Sequence, residues 1–229
     1  MKRVTIVYYA FLNPRRRWPI TVLGQLNQLK GTGLLEMANL HIHVTGNAAD
    51  VGRARSSISE IIPDAVIRAS SQNQFEYPGI QLIWKLANEH PEHVYLYFHS
   101  KGMASKGWIF RRGNRRTLEE KRIYQSVVLP WKRILEIFDA DPTINKVGIC
   151  ASEAGWMWFN FWWARGTYLI RCEEPIITTR RHYYEDWLHR ITDGIRTYQD
   201  CYSLAGNQKG IFYSPRDACR AVNVIPLTS

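Results

Sequence analysis

The stretch "VYLYFHSKG", residues 94–102, decides the fold. Apolar side chains alternate with tyrosines and a histidine through the run, which stops at a polar turn over residues 100–102. This period-2 alternation predicts a largely buried β-strand that ends on a glycine turn. In open α/β sheets, ligands bind at the carboxyl ends of the strands. We therefore predict a binding site around Tyr97, His99 and Lys101; the alternative is that these polar groups simply face water.

The rest of the chain alternates strand and helix patterns around this stretch. Further strands are predicted at residues 3–12, 40–46, 65–70 and 146–152, and helices at 19–29, 56–62, 78–90 and 117–138, the last kinked by Pro130. Residues after about 195 are expected to be irregular. Without a repeat or a linker composition, residues 1–229 are predicted to form one α/β domain, with a mostly parallel central sheet flanked by helices.

Composition excludes several classes of protein. No apolar run approaches the roughly 18 residues of a membrane span, and the first twelve residues lack a signal-peptide cleavage site. The four cysteines show no CxxC or Cys/His ligand spacing, so neither zinc nor a disulfide framework is expected. A cytoplasmic protein is the simplest inference.

The net charge of +10 favours an anionic partner, which could be nucleic acid, a membrane surface or a phosphorylated small molecule. Nine tryptophans and twelve tyrosines supply flat faces that stack on sugars and bases. There is no helix-turn-helix, RRM or zinc pattern, and the basic residues are dispersed along the chain. No nucleic-acid partner is therefore expected, whereas a peripheral membrane contact stays open.

An aromatic tract, "GWMWFNFWW" at residues 155–163, holds a single asparagine, Asn160. Part of this tract must be core, and Trp162 or Trp163 would suit it. A buried asparagine is costly without hydrogen-bond partners, so Asn160 either caps local backbone or binds a polyhydroxylated ligand. We favour the ligand, because binding pockets combine aromatic walls with few polar groups.

Charged residues crowd residues 178–190, which we expect to begin a helix. Glu185 or Asp186 is a candidate general base, and Arg181 a candidate to neutralise phosphate; a solvated helix entry is the alternative. The literal DxD at Asp139-Ala140-Asp141 follows a predicted long helix and lies on the wrong side of the sheet for a ligand site. We interpret it as helix-end or turn chemistry.

Several motifs together resemble a known family. They are "IVYYAFL", "FEYPGIQLIW", "HSKG", "NKVG", "NFWWARGTYL" and "RRHYYEDWL", which span nearly the whole chain. The sequence resembles GT-A-type glycosyltransferases related to the N-terminal domain of a chlorovirus rhamnosyltransferase. Bacterial capsule- and rhamnan-associated relatives carry "HTKG" and "GNFWWA".

The resemblance implies a GT-A-like, Rossmann-like domain that moves a sugar from a nucleoside diphosphate sugar, with UDP favoured, to a glycan hydroxyl. It implies roles for three groups of residues: a nucleoside pocket at Tyr8, Tyr9 and Ala10, a sugar and acceptor site at Asn160, Trp162 and Trp163, and a base at Glu185 or Asp186. We add Trp156, whose ring could stack on the sugar, and Arg181 to the sugar and acceptor site.

Two departures from the family pattern bear on the mechanism. No aspartate lies between residues 65 and 138, so the strand tip offers His99 and Lys101 in place of a metal-binding DxD. The glycine of "GNFWWA" is Phe159 here. The leaving diphosphate would be stabilised either by these cations alone or by Mn²⁺ or Mg²⁺ with His99 as one ligand, in an inverting displacement. A non-catalytic nucleotide-sugar or nucleic-acid binding protein is the alternative.

Overall fold

The computed structural model describes residues 3–14, 17–100 and 117–227. Eight strands form one sheet in the order β3-β2-β1-β4-β6-β5-β7-β8. Their bounds are β1 Val4–Phe11, β2 Ala38–Thr45, β3 Val66–Ser70, β4 Val94–His99, β5 Lys146–Gly148, β6 Trp162–Arg165, β7 Cys201–Ser203 and β8 Gln208–Lys209. Four strand pairs are parallel, whereas β6 is antiparallel to both of its neighbours and β8 to β7.

Seven α-helices accompany the sheet in the described ranges. They are α1 Trp18–Gly31, α2 Ala48–Ile61, α3 Tyr77–Glu89, α4 Leu118–Val127, α5 Trp131–Ala140, α6 Gly166–Leu169 and α7 Pro215–Val224. Short 3-10 turns at Trp158–Asn160, Arg181–Tyr183 and Trp187–His189 connect them. The chain is thus a Rossmann-like α/β fold with a mostly parallel sheet, as the strand and helix patterns predict. No helix among the described residues is long and apolar enough to cross a membrane.

Strand alternation divides the core into two layers. Tyr8 and Phe98 point to the layer that α1, α2, α4, α5 and α7 cover, and their rings stack at 4.5 Å. Tyr9 and Tyr97 point to the opposite layer, which α3, α6 and the segment 183–188 cover. The apolar residues of α3 recur at helical spacing, and its buried face includes Ile80, Leu82, Ile83, Leu86 and Ala87.

Several helix predictions need correction. The helix expected over residues 117–138 is two helices. Pro130 is the N-cap residue that directly precedes α5, and the helix breaks there. Its predicted start is confirmed, since the Thr117 hydroxyl accepts from the Glu120 amide at 3.1 Å. The helix expected at 56–62 begins earlier, at Ala48, because the Asn47 side chain caps it through the Asp50 amide at 2.8 Å.

Two further differences lie in the last third of the chain. Residues 178–190 form 3-10 turns and no α-helix. The end of the chain, expected to be irregular, contains α7, whose first turn the Ser214 side chain caps through the Asp217 amide. A capped helix with Pro215 at its start is a recognisable pattern, so the signal for α7 was present in the sequence.

The DxD tripeptide makes structural contacts. Asp139 pairs with Arg3 at the amino end of the sheet. Asp141 accepts from the side chain and amide of Thr143 and pairs with Lys209 at 2.9 Å, and these contacts lower its pKa to about 2. Both carboxylates therefore have structural roles, Asp139 near the end of α5 and Asp141 in the turn that follows it.

Candidate functional site

The strand order reverses between β1 and β4. The chain runs outward from β1 through β2 to β3, then returns through α3 to place β4 on the other side of β1. Such a topological switch point opens a crevice at the carboxyl ends of the two strands. Here Tyr9 of β1 lies opposite His99 of β4. The Ser100 amide donates to the Tyr9 carbonyl and its hydroxyl accepts from the Phe11 amide, both at 2.9 Å, which pins the strand ends together.

Two tyrosines are buried beneath this crevice. The hydroxyls of Tyr9 and Tyr97 have no hydrogen-bond partner among the described residues. The Thr45 hydroxyl lies close enough to the Tyr9 hydroxyl to lower the pKa of the phenol somewhat. The two groups are not in hydrogen-bonding geometry. Burial, and then the charge of Glu76, raise the pKa of both phenols, so both remain protonated donors at neutral pH. An acceptor for either donor must come from outside the described residues.

Glu76 and His99 form the charged centre of the site. Glu76 immediately precedes α3, and its carboxylate lies 3.4 Å from Nδ1 of His99. The other ring nitrogen of His99, Nε2, lies 3.4 Å from the Phe159 carbonyl. Both side chains are mostly buried, with 18% and 12% exposed, so any charge on them is only weakly screened.

Asn160 joins the aromatic tract to this centre. Its amide nitrogen donates to Glu76 and, at 3.3 Å, to the carbonyl of Tyr184, while its oxygen accepts from Trp162 Nε1 at 2.8 Å. It is 2% exposed. Protein partners therefore use both ends of the Asn160 amide, and its contacts bring the segment around residue 184 to the crevice.

The backbone at Phe159 and Asn160 is left-handed, with φ of 72° and 55°. Residues with a side chain seldom adopt this region, although asparagine does so more readily than phenylalanine, so the backbone of Phe159 carries a conformational cost. Phe159 stands where the resemblance places a glycine, so the chain keeps a glycine-type backbone here with a phenylalanine.

The tryptophans of the tract divide between the two layers. Trp162 stacks on Tyr97 with centroids 5.2 Å apart, directly beneath the crevice. Trp163 lies in the opposite layer, fully buried, with Nε1 donating to the Val127 carbonyl at 2.7 Å. Trp156 is partly buried and meets the edge of Trp158. Trp162 is thus the tryptophan that the structure brings to the site.

Tyr8 and Ala10 lie on the face of β1 away from Tyr9, within the core. The Tyr8 hydroxyl donates to Gln25 at 2.6 Å, and the Gln25 amide donates to Glu120 at 2.7 Å. Their assignment to a nucleoside pocket remains a prediction; in this geometry they support the strand end from behind.

The candidate bases have different surroundings. Asp186 is bound by the guanidinium of Arg190 through three contacts of 2.9–3.1 Å. Glu185 has 37% of its side chain exposed and lies 3.0 Å from the exposed imidazole of His182. Arg181 lies in a 3-10 turn, and its side chain, like all of Lys101, is outside the part of the chain that the structure describes.

Glu76 is the site residue that pattern reasoning missed. It lies within "FEYPG", one of the motifs of the resemblance, but precedes a proline-initiated helix, where an acid is expected on dipole grounds alone. Only its approach to β4 shows that it contacts His99. The sequence did offer one signal for Glu76: a carboxylate directly before α3, the helix that leads into β4 at the switch point.

No protein-family model matches the chain, and no characterised protein is significantly similar to it in sequence. Among solved structures, it is similar to a 4-diphosphocytidyl-2C-methyl-D-erythritol synthase, with 13% sequence identity and a TM-score of 0.43 over 99% of this chain and 100% of the other. A likeness at this level carries no inference about activity.

Proposed function

We propose that this chain is a glycosyltransferase that moves a sugar from a nucleoside diphosphate sugar to a glycan hydroxyl. The observation that carries the proposal is the convergence of His99, Glu76 and Asn160 on the switch point between β1 and β4. The motif resemblance and the net charge of +10 also support it, since both fit a diphosphate ligand. The crevice at such a switch point is where α/β folds bind nucleotides.

In this proposal, His99 donates to the leaving diphosphate. When His99 is protonated, with Glu76 beside Nδ1, it can offer Nε2–H to a phosphate oxygen. A fixed cation of this kind stabilises the charge that develops as the bond to the sugar breaks.

A divalent ion is compatible with the same residues. His99 and Glu76 offer two ligand atoms 3.4 Å apart, and Mg²⁺ and Mn²⁺ sites commonly complete their coordination with substrate phosphates and water. When bound, the ion would supply Lewis-acid neutralisation of the diphosphate. The residue positions serve both versions.

Glu185 is the better candidate base of the two acids. In the displacement, the acceptor oxygen bonds to the anomeric carbon, the bond from that carbon to the diphosphate oxygen breaks, and the acceptor proton passes to the base. Asp186 is already paired with the guanidinium of Arg190. Glu185 directly follows Tyr184, whose carbonyl receives the hydrogen bond from Asn160.

The first test is titration calorimetry of the protein with UDP, GDP and dTDP, each in Mn²⁺ and in EDTA. We expect one nucleotide to bind tightly, with UDP favoured, and a His99→Gln variant to bind it at least tenfold more weakly. Binding to none of the three in either buffer would overturn the proposal. Steeply salt-dependent binding to DNA or RNA instead would indicate a nucleic-acid protein.

A matched pair of variants tests the base. Glu185→Gln should reduce donor turnover by about 10²–10⁴-fold, the usual contribution of a general base, with nucleotide binding retained. Asp186→Asn removes the same charge one residue away and should reduce turnover far less. Equal losses in both variants would assign the effect to folding of the segment and contradict a base role for Glu185.

A further inference from the structure

A second cluster of histidine and glutamate lies at the opposite end of the sheet. His90, Glu92 and His93 occupy the turn between α3 and β4, at the amino end of β4. One ligand atom from each lies within 4.8 Å of those of the other two. No part of the candidate glycosyl-transfer site involves them. We propose that these three residues bind a divalent transition metal ion of the zinc class.

The donor spacing fits such an ion. Glu92 Oε1 lies 3.5 Å from His90 Nδ1 and 3.4 Å from His93 Nε2. Both distances exceed a good N–H···O hydrogen bond of about 2.7–3.2 Å. Zinc binds nitrogen and carboxylate oxygen at about 2.0–2.2 Å, which separates tetrahedral ligands by about 3.3–3.6 Å. The two distances from Glu92 therefore match the spacing of ligands around one ion, and the donors of the two histidines lie within 4.8 Å of each other.

One of the histidines is oriented from behind. Nδ1 of His93 lies 2.9 Å from the hydroxyl of Thr5, and the ring is buried, with the residue only 7% exposed. This contact leaves Nε2 facing Glu92. Metal-binding histidines nearly always use their second nitrogen in this way, which fixes the ring and its tautomer. Thr5 is therefore a positioning residue for the proposed site.

The backbone of the turn is also fixed. The His93 amide donates to the His90 carbonyl at 3.1 Å, and the His93 carbonyl accepts from the Gly166 amide at 2.8 Å. The two imidazole rings lie 5.0 Å apart with their planes 13° from parallel. Both histidines are thus held on the same side of the turn.

The site is open to an incoming ion. The side chains of His90 and Glu92 are 53% and 62% exposed. His90 also lines a cavity of about 420 Å³ between the end of α3 and the first residues of β1 and β2. Three protein ligands with solvent access leave the fourth tetrahedral position for water, as in open zinc sites.

The ligand types select the metal. Two imidazoles and one carboxylate suit Zn²⁺, Ni²⁺ or Cu²⁺, whereas Mg²⁺ and Ca²⁺ prefer ligand sets made mostly of oxygen. The expectation of no zinc site rested on the absence of CxxC and Cys/His spacing, and the ligands proposed here include no cysteine. An ion here would tie the end of α3 to the start of β4.

The test is calorimetric titration with ZnCl₂ in a Cys219→Ser background, because Cys219 is the exposed cysteine among the four. We expect one ion per chain, and at least tenfold weaker binding in His90→Ala and in Glu92→Gln. Glu89→Gln is the matched control, since Glu89 is an exposed acid at the end of α3, outside the cluster, and its loss should leave affinity unchanged. Thr5→Val should weaken binding by about 10–100-fold.

Titration with Co²⁺ adds a spectroscopic readout. Nitrogen and oxygen ligands predict tetrahedral visible bands without thiolate charge transfer, and His90→Ala should abolish them. The proposal is overturned if Zn²⁺ does not bind, if affinity survives in both His90→Ala and Glu92→Gln, or if Glu89→Gln weakens binding as much as Glu92→Gln does. These outcomes do not depend on the proposed glycosyl transfer.

Discussion

The two ends of the central strands carry the same pair of residue types in different environments. At the carboxyl end of β4, His99 lies 3.4 Å from Glu76; at the amino end, His93 lies 3.4 Å from Glu92. The Glu76 side chain is 18% exposed and also accepts from Asn160, whereas the Glu92 side chain is 62% exposed.

The difference comes from what covers each end. At the carboxyl end, the segment that contains Tyr184 and Trp187 packs over the sheet. The side chains of these two aromatic residues are almost completely buried. At the amino end, the turn itself is the surface. Identical chemistry therefore gives a pre-organised polar centre at one end and an open donor cluster at the other. Removing one polar group should lower the free energy of unfolding at the carboxyl end and change it little at the amino end.

The largest effect is expected from Asn160→Ala. The substitution leaves Trp162 Nε1 without its partner and removes one hydrogen bond from Glu76, and a buried unsatisfied group costs about 1–3 kcal/mol. We expect the free energy of unfolding in urea to fall by about 2–4 kcal/mol. Glu92→Gln at the open end should change it by less than about 0.5 kcal/mol. Similar losses for the two variants would refute the contrast between the ends.

A smaller effect is expected at Gly79, where α3 approaches the sheet. A Cβ there would lie 2.7 Å from Cβ of Tyr9 and 3.1 Å from the Tyr97 ring and hydroxyl. Gly79→Ala should therefore destabilise by about 1–3 kcal/mol, the usual cost of overpacking.

Gly52→Ala in α2 is the control for Gly79→Ala. A Cβ at Gly52 meets nothing within 4 Å, so the better helix propensity of alanine should stabilise by about 0.5–1 kcal/mol. Thermal or urea unfolding of the two variants decides the matter. Shifts of the same sign would show that α3 does not press on the tyrosines as the structure describes.

The left-handed backbone at Phe159 allows a third comparison. Phe159→Gly and Phe159→Ala both remove the ring, but only glycine adopts φ of 72° without a steric penalty. The glycine variant should be more stable than the alanine variant by about 0.5–1 kcal/mol. A more stable alanine variant would mean that the backbone relaxes out of this conformation once the ring is gone.

The smallest effect is a pH dependence from the histidines of β2. Burial, and then the charge of Arg68, lower the pKa of His41 and of His43 to about 4 from an ordinary value of 6.5. The unfolded chain therefore binds more protons than the folded chain between these values. Stability should fall as the pH drops from 6.5 to 4 and level off for these groups below that. Partial exposure of both rings reduces the size of the effect.

Urea unfolding at pH 7 and at pH 4.5 measures this loss. We expect it to be smaller in His43→Gln than in the parent chain, and reduced in part in Arg68→Gln, which removes the second cause. An unchanged loss in His43→Gln would show that the histidine does not contribute.

Local patterns predict most of the architecture. The alternation around "VYLYFH" specifies β4 within the bounds observed, and the apolar spacing after Pro78 specifies α3. Capping side chains gave one helix start correctly, at Thr117, and were overlooked at Asn47 and Ser214. The caps at Asn47 and Ser214 are sequence signals. The starts of α2 and α7 could therefore have been predicted without tertiary information.

The site was less predictable from the sequence. Asn160 was expected to cap local backbone or to bind a ligand, whereas the structure gives it Glu76, Tyr184 and Trp162 as partners, two of which are distant in sequence. A helix assumed at residues 178–190 gave the wrong surroundings for Glu185 and Asp186, because buried aromatic side chains there favour 3-10 turns packed on the sheet over an exposed helix.

The sequence by itself determined the strand and helix alternation, the parallel Rossmann-like class and the arrival of His99 at a strand tip, because these follow from short-range periodicity and turn chemistry. Only the tertiary structure decided that Glu76 lies against His99, that Trp162 and Trp163 serve opposite layers, and that His90, Glu92 and His93 face one another. These contacts depend on strand order and on which segment covers each end of the sheet. Both arise from packing the whole chain, so no local pattern encodes them.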